Sequence, residues 1–282
     1  MKTAPNDLPL VQPGLEMSSR IGAWRLAREF LTATSVIVEL EVRKLRHDPT
    51  ELITRAVQPM LWLLIFGTVM SKMRGIPTGG IPYLDYMAPG ILAQSVLFMA
   101  IFYGISSIRE RDTGIIVRFL VSPAPRTALV LGKALAAGVR ALSQTLIVYA
   151  VVILMGVHLN PNPIAHVGVV VLALLGAACF SLFSLLVASF AKTQERFMGV
   201  GQLMTMPLFF ASSALYPVAM MPKWLQVVSH GNPLTYQVDA MRALMLRGGI
   251  STFGLGVDFA VLSIATAVMV FIAGRMYARI VT

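Results

Sequence analysis

The chain of 282 residues is 56% hydrophobic and only 13% charged, with a mean hydropathy of +0.75. Soluble domains carry about 25% charge, so the composition excludes an ordinary soluble domain and points to a polytopic membrane protein. The net charge of +10 suggests nucleic acid, but the 23 Lys and Arg residues are scattered among short loops instead of forming one basic face, and no nucleic-acid partner is expected.

Residues 1–50 are polar and charged, and their longest apolar run, Phe30 to Val38, is too short for a signal peptide; insertion is expected to rely on later spans. Within them Ile21, Trp24, Ala27, Leu31 and Val38 recur near helical spacing, while Arg25, Arg28 and Glu29 fall on another side. The pattern predicts an amphipathic helix that either lies along the inner leaflet or packs on the protein itself.

Six apolar windows follow, at about 52–70, 87–108, 135–157, 168–191, 199–221 and 256–274. Each is long enough to cross a hydrocarbon core of about 30 Å at about 1.5 Å per residue. Helices alone satisfy their backbone in lipid without closing a barrel. The expected fold is an all-α membrane protein with six transmembrane helices: a membrane domain at 51–282 behind a cytoplasmic segment at 1–50. Seventeen Lys and Arg fall on the side of the N-terminus and five on the other, with Arg140 inside the third window. That bias places both termini in the cytoplasm of a multi-pass cell-membrane protein. The single cysteine, Cys179, lies inside the fourth window, so no internal disulfide can form.

Between the second and third windows, RERDTGIIVRFLVSPAPR (109–126) carries six charged residues in eighteen positions. Ile115, Ile116, Phe119 and Leu120 fall at helical spacings, and the prolines of SPAPR stop the helix before the third window. The result is a short amphipathic helix under the membrane. It either caps the bundle or docks into a groove on a cytoplasmic partner, with Glu110, Arg111 and Arg118 setting the register.

The stretch ERDTGIIVRFLVSPAPRTALVLGKALA resembles the first cytoplasmic loop of ABC transporter type-2 membrane subunits. GNPLTYQVDAMRALML (231–246) is similar to the Asn-Pro-Leu segment and Arg-bearing helix of the same family. With the six-window layout, the resemblance covers nearly all of residues 20–282, and it is strongest to the drug-resistance, daunorubicin-type exporter permeases. It implies a permease that pairs with a second copy, identical or paralogous, and with two ATP-hydrolysing subunits that hold the ATP and magnesium. It also implies that the N-terminal helix and the loop after the second span contact the ATPase. Glu110, Gly114, Arg118, Pro123 and Arg126 match the loop pattern, and Asn232, Pro233 and Arg242 match the later one; Ala124-Pro125 is an insertion after the expected proline.

The sequence holds no nucleotide site of its own. Gly132-Lys133 is the nearest approach to a phosphate-binding loop, but Thr127 stands where the first Gly is required. The chain is therefore expected not to be an enzyme, to need no cofactor itself, and to leave hydrolysis to a separate polypeptide.

Between the fifth and sixth windows, two helix-like pieces around Lys223 to Val228 and Leu234 to Leu246 are broken by SHGNP and ended by Gly248-Gly249. They resemble the family's re-entrant hairpin, which enters the outer leaflet. Asp239 and Arg242, three apart, are placed to form a local ion pair or to touch cargo. His158, His166 and His230 lack metal-ligand spacing, and no metal site is expected.

Polar residues within the windows include Gln94, Gln144, Gln202, Ser181 and Ser184. They either join helices or face a pathway. Arg140 either snorkels to the headgroups or binds substrate. Met206, Phe209 and Tyr216, with Met204 and Phe210, give the fifth window an adaptable apolar surface, suited to core contact or to bulky cargo. Together these readings lead to the permease subunit of an ATP-driven exporter of lipophilic or amphipathic compounds in a bacterial inner membrane, with antibiotic efflux foremost and envelope lipid beside it. The alternative is an ion-coupled secondary carrier. Such a carrier usually hides an acidic residue in the membrane, whereas Asp258, at the outer end of the sixth window, is the only candidate.

Overall fold

The computed structural model describes residues 57–72, 78–113, 126–191 and 193–276, with Thr32, Ser35, Glu39, Arg43, His47 and Thr54; for Ser107, residues 110–112 and residues 126–131 it describes the backbone alone. Among the described residues every regular element is helical, and the one extended pairing is an isolated bridge between Leu159 and Leu246. In chain order the helices are α1 (Val57–Ser71), α2 (Tyr83–Asp112), α3 (Arg126–Leu154), α4 (Pro163–Phe190), α5 (Gln194–Phe210), α6 (Lys223–His230), α7 (Pro233–Met245) and α8 (Leu255–Met276).

Four of these are long and apolar enough to cross a membrane: Tyr83–Ser106 of α2, Gly132–Leu154 of α3, all of α4 and all of α8. Within the first expected window the described part of the apolar α1 runs Val57–Ser71, and its middle, Trp62–Gly67, is wound as a π-helix. The fifth, 199–221, is not one helix. α5 stops at Phe210, and the chain continues through turns to a short 3₁₀ turn at Val218–Met220. Hydropathy averages over that change because the stretch stays apolar. Ser212 Oγ donates to the carbonyl of Phe209 and accepts from the amide of Ala214 at 3.3 Å, replacing helical bonds with side-chain ones.

Helix starts follow local chemistry. Asn162 and Asn232 each accept from the amide two residues on, Ile164 and Leu234, at 3.0 Å, and each precedes a proline at the first helical position. Thr193 caps α5 by accepting from the amide of Arg196. At the N-terminal segment the described Thr32, Ser35, Glu39, Arg43 and His47 are helical and exposed, and Glu39 pairs with Arg43 at 2.7 Å. Ile21, Trp24, Ala27, Leu31 and Val38, the proposed apolar face, lie outside the described residues.

α2 is the axis of the bundle. It is apolar all round and buried along most of its membrane length, with Met87, Ile91, Leu92, Val96, Leu97 and Ala100 inaccessible. α3, α4, α5 and α7 pack around it, and α4 also packs against α3, α7 and α8. α8 buries little beyond Asp258, Leu262 and Ala273 and turns an apolar surface outward, including Ile264 and Phe271. α1 is stapled to α5 through Trp62, whose ring lies 5.9 Å from Phe209 and 6.4 Å from Phe210.

The early end of α5 is closed by side chains from elsewhere. Arg242 Nη2 donates to the carbonyl of Ser213 at 2.6 Å, its Nε to the carbonyl of Tyr86 at 3.3 Å, and its guanidinium lies 3.8 Å above the Tyr86 ring. Tyr83 donates to the carbonyl of Leu215, Asn232 Nδ2 to that of Leu208, and Tyr216 to that of Phe210. Gly90 lets this loop lie directly on α2: a Cβ there would collide with the backbone of Ala214.

Two outcomes are expected. Gly90→Val should lower the melting temperature in detergent by the equivalent of at least 1–3 kcal/mol, as overpacking does, while Gly199→Ala, whose Cβ meets nothing, should melt like the parent. Arg242→Met, which removes the charged donor to the carbonyls of Ser213 and Tyr86, should cost about 1.5–3 kcal/mol, with Arg242→Lys between the two. Parent-like melting of Arg242→Met would show that the loop is held some other way.

Candidate functional site

Between α1, α2 and α3 lies a partly open cavity of about 420 Å³, lined by Thr54, Gln58, Pro59, Gln94, Ser95, Phe98, Met99, Phe102 and Gln144. Phe98 and Phe102, one turn apart on α2, stack at 6.1 Å and give it an aromatic wall. Ser95 spends its hydroxyl on the carbonyl of Leu92 at 2.7 Å. Gln94 and Gln144 are 2% and 1% exposed, yet neither amide has a hydrogen-bond partner on its nitrogen or its oxygen. They come from different helices and do not join them, in contrast to Gln237, whose amide reaches the carbonyl of Leu172 on α4 at 3.3 Å. Among the described residues no charged side chain lines the cavity. It leads through Thr54 and Gln58 into an open apolar groove of about 520 Å³ along α1, formed with Leu61, Trp62, Ile65, Phe66 and Val69.

The other proposed lining residues lie elsewhere. Gln202 is exposed on α5, Met206 is half-buried, and Phe209 is fully buried in the aromatic cluster with Trp62. Tyr216 belongs to the loop beyond α5 and bonds Phe210. Arg140 is 8% exposed and lies beneath Tyr103 of α2, with its guanidinium 5.5 Å from the ring centre. It is thus held against α2, 14 residues after the start of α3.

The residues singled out between the fifth and sixth windows tie α7 to its neighbours, and Asp239 and Arg242 also line a cavity of about 340 Å³. Asn232 and Pro233 start α7, and Asn232 also ties it to α5. Asp239 and Arg242 approach only to 4.0 Å. Asp239 instead accepts from the amides of Thr252 and Phe253 at 2.6 and 3.1 Å and from the Ser251 and Thr252 hydroxyls, both at 3.0 Å, closing the loop into α8. Ser251 also lies 2.8 Å from Asp258, which is inaccessible in the first turn of α8. Burial pushes the Arg242 guanidinium below its ordinary pKa, and Tyr86 and Asp239 oppose the shift.

Spacing alone revealed the Asp239–Arg242 pair but not these tertiary partners. It also missed Asp85, in the first turn of α2, which accepts from His158 Nδ1 at 2.9 Å at the same end of the bundle. At the opposite end, Ile108 of α2 meets Ala188, Ala191 and Phe197. Of the loop residues, Glu110 and Arg111 lie in the last turn of α2 and Arg126 begins α3. Gly114, Arg118 and Pro123 lie outside the described residues. Among the described residues no cluster of metal-binding side chains occurs.

Residues 32–246 match the family model described as ABC-2 type transporter. The ycf38 transport permease of Cyanophora paradoxa is 30% identical over 217 residues, covering 76% of this chain and 74% of the relative. The daunorubicin resistance ABC transporter permease protein DrrB1 of Streptomyces coeruleorubidus is 26% identical over 233 residues, 82% of this chain and 81% of the relative. The inner membrane transport permease YadH of Escherichia coli K12 is 27% identical over 218 residues, 75% and 80% of the two chains. An all-helical bundle whose central helix is buried, whose outer helices present apolar faces, and whose sequence matches this model over three quarters of its length belongs to the ABC-2 type transporter family, as a membrane permease subunit.

Proposed function

We propose that this chain is the permease of an ATP-driven exporter of lipophilic or amphipathic compounds, working beside a second permease copy and a separate ATPase that holds ATP and magnesium. The carrying observation is the charged end of α2. The helix runs on in one piece from its apolar stretch, Tyr83–Ser106, through Arg109, Glu110, Arg111 and Asp112, and α3 returns from Arg126 at the same end of the bundle. Four consecutive charged residues favour water over lipid, so this end of α2 forms a stalk that a soluble partner can reach and push on.

The excess of Lys and Arg on that side supports a cytoplasmic position for the stalk and for both termini. α1 and α5 count as the remaining two spans in this reading, the segment 1–50 forms the cytoplasmic apron of a membrane domain at 51–282, and α6 with α7 forms a re-entrant hairpin. α6 suits the lipid boundary, with Trp224 and Val227 exposed. The name of the Streptomyces relative supports drug efflux as the cargo class, with envelope lipid beside it, and that of the Escherichia coli relative supports an inner-membrane location. An ion-coupled carrier finds less support. The described carboxylates of α2, α5 and α8 outside the stalk, Asp85, Glu195 and Asp258, all stand in first turns, where the helix dipole favours them, and none lies at mid-membrane.

The expected result is that a P-loop ATPase co-purifies with the tagged chain in mild detergent, and that Glu110→Lys or Arg118→Glu lowers ATP-coupled transport at least tenfold while membrane insertion is unchanged. Full coupling in both variants would remove the loop from the transmission path, and transport by the chain without any ATPase would establish the carrier.

A further inference from the structure

The cavity between α1, α2 and α3 holds four amide atoms, the Oε1 and Nε2 of Gln94 and of Gln144, that are buried without partners. Each such atom costs on the order of 1–3 kcal/mol relative to a paired one. Glutamines placed only to bind helices together would bond across the interface, as Gln237 does through its Nε2, although its Oε1 has no partner. Here two amides on facing helices line the same space and bond neither each other nor a backbone. The space itself is of the size that takes small organic molecules, about 300–1,000 Å³. Its remaining described lining is aromatic or apolar at Phe98, Phe102, Met99 and Pro59 and polar but uncharged at Thr54, Gln58 and Ser95.

We propose that Gln94 and Gln144 form a neutral hydrogen-bonding subsite for aromatic compounds that carry an uncharged group able both to donate and to accept, such as a carboxamide. The aromatic frame lies against Phe98 and Phe102, and the polar group fills the valences of the two amides. A quaternary ammonium gains no hydrogen bond from them, because it has no N–H to donate to their oxygens, and the described lining offers it no carboxylate. The groove along α1 gives such a molecule an apolar route to the amides. This assignment deepens the export reading above and rests on it for its role in transport, though binding itself does not require ATP.

The test uses the full chain with its co-purified partner subunits in lipid nanodiscs, with empty nanodiscs as the blank for partitioning. Three fluorescent probes are titrated: pyrene-1-carboxamide, 1-methylpyrene and pyrenylmethyl-trimethylammonium. Carboxamide binding about tenfold tighter than that of the other two is expected, one unsatisfied amide group being worth about that much. In Gln94→Leu and in Gln144→Leu the preference should shrink to threefold or less, while 1-methylpyrene binds as before or better. Both variants remove an unpaired polar group and should melt at or above the parent temperature; Gln→Met at either position, unbranched and of similar length, serves if a leucine variant does not fold. No carboxamide preference in the parent, or the full preference in both variants, overturns the proposal. ATP-driven movement of the carboxamide, measured in proteoliposomes, separates the two readings. Preferential binding without ATP-driven movement sinks the export role and leaves the subsite standing, whereas movement of all three probes at equal affinity leaves export standing and sinks the subsite.

Discussion

A helix that ends within an apolar stretch leaves carbonyls that lipid cannot satisfy. α5 ends at Phe210 within such a stretch, and much of that end of the molecule is arranged around that fact. Tyr83 and Tyr86 of α2, Asn232 and Arg242 of α7, and Ser212 and Tyr216 of the loop itself all direct donors at carbonyls between Leu208 and Leu215. Arg242 can be buried only because two carbonyls and an aromatic face stand in for water around it. α7, in turn, can lie in the core because its other charge, Asp239, is saturated by the loop that leads into α8. One interrupted helix thereby accounts for the burial of α7, for a glycine on α2 and for two tyrosines at its start.

The contrast with the space at Gln94 and Gln144 is chemical. At the α5 terminus nearly every buried polar atom has its partner, and the assembly is correspondingly stiff. At the glutamines four atoms have none. Both regions touch α2: Tyr86 and Gly90 lie in its first two turns and Gln94 one turn further along. The two environments are therefore separated by about 6 Å of one rigid rod. Among the described residues, four of the six buried side-chain polar atoms without a partner belong to this one pair of glutamines.

Much of this was legible from apolar length. α4 was expected at 168–191 and begins five residues earlier, because Asn162-Pro163 supplies a cap and a first residue that hydropathy does not register. Asp85 and Tyr83 were hidden for the opposite reason: a carboxylate next to an apolar run looks like a boundary, yet the helix dipole and His158 hold it inside α2. The fifth window failed where Ser212, Ser213 and Pro217 leave the helix without leaving apolar company. Gln94 and Gln144 stood out in sequence as polar residues in apolar spans. Only the tertiary fold shows that these two share a cavity, whereas Gln202 faces outward and Phe209 is core. The spacing of Asp239 and Arg242 suggested a mutual pair, but spacing along one helix is blind to Tyr86, Ser213 and Thr252, which come from up to 156 residues away.

Cys179 is the only cysteine in the chain, and it lies buried among the apolar side chains of the central cluster. A thiol shielded from water reacts slowly with water-borne reagents. The unaltered chain is therefore already a nearly silent background for maleimide chemistry. A single cysteine introduced on the outward face of α1, α6 or α8 would carry the one reactive tag per copy. Spin or fluorophore pairs between two copies could then be read as a single distance, without first removing any native residue.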